Sequence, residues 1–281
     1  MTASQAQPSS LQEVAGTIVL IGAGKMGAAM LDGWIGLGLE PSRVAVIEPQ
    51  PTREISALAG RGLKLNPDPA AVPDPAVIVI AVKPQVAAEV VPAAAPLVGR
   101  STVIVSIMAG QRLASLERAL PASSAIVRTM PNTPAAIGRG ITVAVPNARV
   151  SAAQRGLADK LLAATGATEW IDDEALMDAV TAVSGSGPAY VFLLAESLAR
   201  AGVAAGLPPD LAARLARATV AGAGELMHRS PLDPATLRRN VTSPGGTTAA
   251  ALDVLAGKDG LDPVMVKAVA AATRRSRELA G

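Results

Sequence analysis

Thr17-Ile18-Val19-Leu20-Ile21-Gly22-Ala23-Gly24-Lys25-Met26-Gly27 decides the fold. Its first five residues form a short apolar run rich in β-branched side chains, which reads as a buried strand. A Gly-x-Gly-x-x-Gly turn follows directly, and a helical stretch continues over 25–37. In this strand–turn–helix setting each glycine has its own duty. Gly22 permits a tight turn, Gly24 lets a pyrophosphate approach bare backbone, and Gly27 lets the helix pack on the strand. Gly22, Ala23, Gly24, Lys25, Met26 and Gly27 are therefore candidate cofactor-binding residues.

Outward from that turn, strand and helix patterns alternate. Strands are expected at 44–47, 77–82, 102–106, 125–129 and 141–145, with helices from about Thr52, near 85–95 and over 111–119. Val77-Ile78-Val79-Ile80-Ala81-Val82 is apolar throughout, as strands covered on both faces are. Repeated βα units imply a Rossmann-like, doubly wound parallel sheet in an α/β domain, expected over 16–171. Ala81, Val82 and Lys83 stand at the carboxyl end of a parallel strand, where such sheets bind ligands. Glu48 ends the second strand, where an acid commonly receives the ribose 2′-hydroxyl of NAD. Arg53 could instead meet the 2′-phosphate of NADP, or be a solvated charge on the first turn of a helix. The choice between NADPH and NADH stays open at this point.

After about Asp172 strand signals disappear, and helices are expected at 174–183, 188–206, 209–229, 234–240, 247–257 and 261–279. The second domain is therefore all-helical, over 172–281. Its helix after Pro188 is apolar almost all round, with Val191, Phe192, Leu193, Leu194, Leu198 and Val203. A helix with so narrow a polar face is normally buried on most sides. A second subunit is expected to cover it, the alternative being a monomeric bundle with this helix at its centre. Residues 1–15, polar and rich in Ala, Ser and Gln, read as a flexible tail.

Ser243-Pro244-Gly245-Gly246-Thr247-Thr248 reads as a helix start built to hold a small anion. Ser243 suits the N-cap and Pro244 the first helical position. The two glycines open the backbone to a ligand, so that free N–H groups and the helix dipole would face a carboxylate or phosphate. One anion site for a small substrate and one for a cofactor pyrophosphate point to a nicotinamide-dependent oxidoreductase.

Composition narrows the chemistry. The 281 residues carry 25 basic and 23 acidic side chains, a net charge of +2 spread along the chain, with no aromatic-interleaved basic stripe for nucleic acid. No apolar run is long enough to span a membrane, no secretory signal or transit peptide is expected, and a cytoplasmic protein is the default. There is no cysteine, which excludes disulfides, thiolate metal sites and a cysteine nucleophile. The one histidine, His228, cannot build a multi-histidine metal site or be argued into a Ser-His-Asp triad, so no metal is expected. Asp172, Asp173 and Glu174 read as capping charge before a helix. The protein is thus left with binding and orienting, while a cofactor carries the chemistry.

At these residues the chain resembles the pyrroline-5-carboxylate reductase family. The likeness runs from Gly22–Gly27 through Ala81-Val82-Lys83-Pro84 and Arg128-Thr129-Met130-Pro131-Asn132-Thr133-Pro134. It continues through Asp178–Tyr190, with its Ser184-Gly185-Ser186-Gly187-Pro188 core, and Asn240–Thr248. The resemblance implies reduction of L-1-pyrroline-5-carboxylate to L-proline, the last step of proline biosynthesis, with NADPH or NADH. It also implies a helical domain that interlocks two subunits in a homodimer, with dimers assembling in many members into decamers. Thr248 matches the threonine whose hydroxyl bonds the ring nitrogen of the substrate. Ser243 and the backbone around Gly245, Gly246 and Thr247 match its carboxylate cradle. Asn132 matches a loop near the cofactor, where a structural turn is the competing reading. Two rivals remain: a related imine reductase or β-hydroxyacid dehydrogenase, which relies on differently placed catalytic residues, and a non-catalytic nicotinamide-sensing protein.

Overall fold

The computed structural model of the chain describes residues 10–279. Within them the chain divides into two compact units. One runs to Gly185 and regains the chain from Thr273, and the other is Ser186–Ala272. The division thus falls after Gly185 and again inside the last helix, rather than between 171 and 172.

The first unit is built on an eight-stranded sheet. Its strands are β1 (Ile18–Ile21), β2 (Val44–Ile47), β3 (Lys64–Leu65), β4 (Val77–Ile80), β5 (Val103–Ser106), β6 (Ala125–Met130), β7 (Gly140–Pro146) and β8 (Gly166–Trp170). They lie in the order β3-β2-β1-β4-β5-β6-β7-β8. Between them come α1 (Lys25–Gly36), α2 (Arg53–Ala59), α3 (Ala87–Ala93), α4 (Leu113–Ala119) and α5 (Ala152–Leu162). The short α6 (Met177–Val180) follows the sheet and runs into a π-helical turn, Thr181–Gly185.

Period-two alternation distributes each strand between two cores. Ile18, Leu20, Val77 and Val79 face Met30, Leu31 and Trp34 of α1 and Leu161 and Leu162 of α5. Val19, Ile21, Ile78 and Ile80 face Ala87 and Val91 of α3 and Leu116 of α4. Burial on both faces is why these strands read as continuous apolar runs. Trp34 is wholly buried, and its indole Nε1 donates to the Leu161 carbonyl at 2.9 Å, so the fit carries no unpaired donor.

The expected Rossmann-like architecture is present, with one departure from a parallel sheet. β7 runs antiparallel to β6. Their connection, residues 131–139, is too short for the dozen or so residues that a parallel crossover needs. β3, β8 and α5 are additions to the expected elements. The tail expected over 1–15 also changes character. Residues 1–9 lie outside the described residues, whereas Leu11 and Val14 are buried in the α1-side core, and the Leu11 N–H donates to the Leu37 carbonyl. These two apolar side chains anchor a segment whose composition is otherwise polar.

The second unit contains α7 (Gly187–Ala204), α8 (Pro209–Arg229), α9 (Pro234–Asn240), α10 (Thr247–Leu255) and most of α11 (Leu261–Leu279). Gly206, at φ +98°, ends α7, and the Leu207 N–H reaches back to the Gly202 carbonyl. That turn brings α8 against α7, with Gly202 facing Ala212. No residue of α7 is buried within the chain; Phe192 is 63% and Leu194 54% exposed. So large an uncovered apolar surface is the mark of an interaction face.

Candidate functional site

Sheet order reverses between β1 and its neighbours β2 and β4, and a ligand cleft is expected beyond the carboxyl ends of such strands. A cleft of about 740 Å³ lies there. Gly22, Gly24, Glu48, Ala81, Val82 and Lys83 line it, together with Asn66 and residues of α3.

The three glycines differ in what surrounds them. Gly22 has φ +89°, and a β-carbon on it would stand 2.7 Å from Val82 Cγ1. A β-carbon on Gly27 would collide with the Gly22 carbonyl oxygen. Gly24 has nothing within 4 Å of that position, and no side chain caps the first N–H groups of α1. A turn that protein atoms leave bare, at a helix N-terminus, fits a dinucleotide pyrophosphate. Ala23, Lys25, Met26 and Gly27 form the rest of this turn and adjoin the cleft without lining it.

Glu48 is held from both ends. Its Oε2 accepts from the Ala23 N–H at 2.8 Å and its Oε1 from the Gln50 N–H at 3.0 Å. Asn66, at φ +47°, clamps its backbone: Oδ1 accepts from Glu48 N–H at 2.8 Å and Nδ2 donates to the Glu48 carbonyl at 2.9 Å. Sequence reasoning missed Asn66, although the Asn66-Pro67-Asp68-Pro69 run is a turn signal.

Two of the expected cofactor residues are not among those that line this cleft. Arg53 is exposed at the start of α2 and does not line the cleft. Asn132 also stands off it; its Oδ1 accepts from the Ile141 N–H at 3.0 Å, fastening the β6–β7 connection to β7.

Beyond the sheet, Asp173 accepts from Ala175 N–H, as expected of capping charge, but Glu174 does something else. Its Oε1 accepts from Arg128 Nη1 at 2.7 Å and from the Leu113 N–H at 2.8 Å. Arg112, Arg128, Glu174, Asp178 and Arg277 border a second depression of about 480 Å³. The π-helical turn Thr181–Gly185 overlaps the Ser184–Pro188 motif at Ser184 and Gly185. A β-carbon on Gly185 would meet Met130 Cε, the far end of a flexible side chain that can give way. Such π turns recur at functional sites.

The second unit contains the segment expected to form the other anion cradle, with one correction to its capping. Gly246, not Ser243, is the N-cap of α10, and Thr247, not Pro244, is its first residue. Ser243 to Gly246 form a tight turn closed by Gly246 N–H to the Ser243 carbonyl at 3.1 Å, with Pro second and Gly245 third at φ +67°. That left-handed glycine diverts Ser-Pro from its usual role at a helix start. Ser243 Oγ lies 2.5 Å from where a Gly246 β-carbon would be, so the hydroxyl overhangs the helix end. Gly246 carries no capping side chain, and the N–H groups of Thr247 and Thr248 precede any intrahelical acceptor. Ser243, Gly245, Gly246, Thr247 and Thr248 are thus gathered at one helix end.

Comparison with known proteins adds to this geometry. The family model described as pyrroline-5-carboxylate reductase dimerisation matches residues 174–279, and that described as NADP oxidoreductase coenzyme F420-dependent matches 17–110. The pyrroline-5-carboxylate reductase of Pseudomonas aeruginosa is 42% identical over 265 residues, covering 94% of this chain and 96% of that protein. A pyrroline-5-carboxylate reductase structure from Coxiella burnetii superimposes with TM-score 0.87 at 32% identity, over 95% of this chain and 99% of the other. A pyrroline carboxylate reductase structure from Plasmodium falciparum with NADP bound gives TM-score 0.78 at 29% identity, over 95% and 98%. The dimerisation match covers α7, whose apolar surface is uncovered within the chain, and homo-oligomerisation accounts for both observations. Among the described residues no helix is long and apolar enough to cross a membrane.

Proposed function

This chain belongs to the pyrroline-5-carboxylate reductase family and is an NAD(P)H-dependent oxidoreductase that reduces L-1-pyrroline-5-carboxylate to L-proline; on that premise we propose how its residues divide the work. When bound, the reduced nicotinamide supplies the hydride that C5 of the C=N bond receives.

Gly22 to Gly27 hold the pyrophosphate at the start of α1, and Ala81, Val82 and Lys83 form the facing wall of the cleft. The start of α10 holds the substrate carboxylate through the N–H groups of Thr247 and its neighbours, with Ser243 Oγ as a further donor. Hydrogen bonds to a charged group are worth roughly 1.5–3 kcal/mol each, against about 0.3–1 kcal/mol for the dipole of the helix, so direct N–H contacts dominate this grip. Thr248 Oγ fixes the ring nitrogen and steadies its proton. With the ring oriented, positioning supplies much of the rate. The observation that carries this reading is the bare N-cap of α10, a helix end with an overhanging hydroxyl and no side chain of its own to cap it.

A homodimer closed over α7, and further assembly of dimers into a decamer, belong to the same proposal, supported by the exposed Phe192 and Leu194. So does a cytoplasmic location, in keeping with a reaction that draws on reduced nicotinamide. The test is coenzyme oxidation with and without pyrroline-5-carboxylate, paired with assay of the proline formed. Oxidation that depends on the imino acid and yields equimolar proline is expected, and oxidation unaffected by it overturns the reading.

A further inference from the structure

We infer that Glu48 determines coenzyme specificity and makes NADH, rather than NADPH, the tighter ligand of this enzyme. The inference rests on the reading of the Gly22–Gly27 cleft as the coenzyme site. Glu48 ends β2 and lines that cleft. Its two carboxylate oxygens each accept one backbone N–H, from Ala23 and from Gln50, and each keeps a further acceptor direction. A ribose 2′-hydroxyl, which donates, is received by such a group. A 2′-phosphate has oxygens that accept and carries one to two negative charges, so it meets the carboxylate as a like charge.

The carboxylate has no inexpensive way to step aside. Asn66 pins its backbone with two hydrogen bonds. Swinging the side chain out would release the Ala23 N–H, which belongs to the pyrophosphate turn itself. Nor do nearby cations compensate. Arg53 is exposed and does not line the cleft. Lys64, on the adjacent β3, donates to the Ala71 carbonyl at 3.4 Å. Lys83 does line the cleft, but at the end of β4, on the opposite side of β1 from β2. Two strand spacings, about 10 Å, separate those strands.

Isothermal titration calorimetry of the full-length enzyme with NADH and with NADPH, in the absence of substrate, tests this. NADH is expected to bind on the order of tenfold more tightly, and Glu48→Gln to bring the two affinities together. Glutamine keeps an acceptor for Ala23 and removes the charge, so the ratio of the two constants reads specificity and not folding. Glu48→Asp, which keeps the charge, retains the preference for NADH, and Arg53→Ala leaves the ratio where it was. NADPH binding as tightly as NADH in the unmodified enzyme overturns the inference. So does a Glu48→Gln enzyme in which both affinities fall equally, since Glu48 would then be only a brace. If neither coenzyme binds, the cleft itself has been misread, a distinct failure that removes the inference with it.

Discussion

Arg128 Nη1 and Glu174 Oε1 stand 2.7 Å apart, joining the centre of β6 to the segment that leaves the sheet. Arg128 is only 5% exposed, and the same carboxylate oxygen receives the N–H that opens α4. Removing Glu174 therefore leaves a buried cation and a helix N–H unpaired together. Glu174→Ala is expected to lower unfolding free energy by about 3 kcal/mol, in the range seen when one partner of a buried pair is lost. Glu174→Gln, which still accepts, loses less. Urea denaturation followed by circular dichroism measures both, and a Glu174→Ala midpoint matching the unmodified protein would show that the pair does not hold these elements.

Gly24 and Gly22 separate coenzyme binding from folding. At Gly24 φ is −66° and no atom lies within 4 Å of a would-be β-carbon, so Gly24→Val fits the fold. Its side chain then occupies the space assigned to pyrophosphate. Coenzyme affinity is expected to fall at least about tenfold, while stability stays within roughly 0.5 kcal/mol. Gly22→Ala meets Val82 and the Ala81 carbonyl from a left-handed φ, and destabilises the fold by about 2 kcal/mol. Calorimetric titration and thermal melts on both variants distinguish the two effects, and a Gly24→Val enzyme with intact affinity would mean that the coenzyme lies elsewhere.

How far the sequence could be read follows from what each segment buries. β1, β2, β4 and β5 announce themselves because both their faces are covered, leaving runs of Val, Ile and Leu. β8, Gly-Ala-Thr-Glu-Trp at the sheet edge, has no fully buried residue and so carries no such signature. α5 went unread although Ser151 and Gln154 form a capping box there, a local signal that was available. Direction is another matter: nothing in the composition of β7 says that it turns back along β6. Ser243-Pro244 shows where a sound local rule loses, because the glycines after it build a turn before the helix begins. The pairing of Asn66 with Glu48 is hidden for a different reason. The two residues are remote in sequence, and only the packing of β3 beside β2 brings them together.

If subunits associate through α7, its exposed apolar residues are indispensable to the assembly. Phe192→Asp places a charge where a partner's apolar surface would desolvate it, a substitution that costs several kcal/mol in an interface. Within one chain Phe192 is 63% exposed, so the fold of the single subunit is expected to survive. Sedimentation velocity should show the unmodified protein as an oligomer and the variant shifted towards a smaller species with unchanged helical content. An unshifted boundary would place the subunit contact on another face.

Thr248 is the most direct test of the substrate site. It is the second residue of α10, partly exposed, and beside a helix end that no side chain caps. Thr248→Val keeps the β-branched shape and removes only the hydroxyl. If that hydroxyl fixes the ring nitrogen, turnover should fall on the order of 10²-fold, the scale of one positioned proton-handling group. Coenzyme affinity should not change, because the Gly22–Gly27 turn is untouched. Thr248→Ser restores the oxygen and should recover most of the turnover, which a packing defect would not allow. Steady-state kinetics on the two variants, with coenzyme titrations alongside, decide the matter: equal turnover in Thr248→Val and the unmodified enzyme removes this hydroxyl from the chemistry.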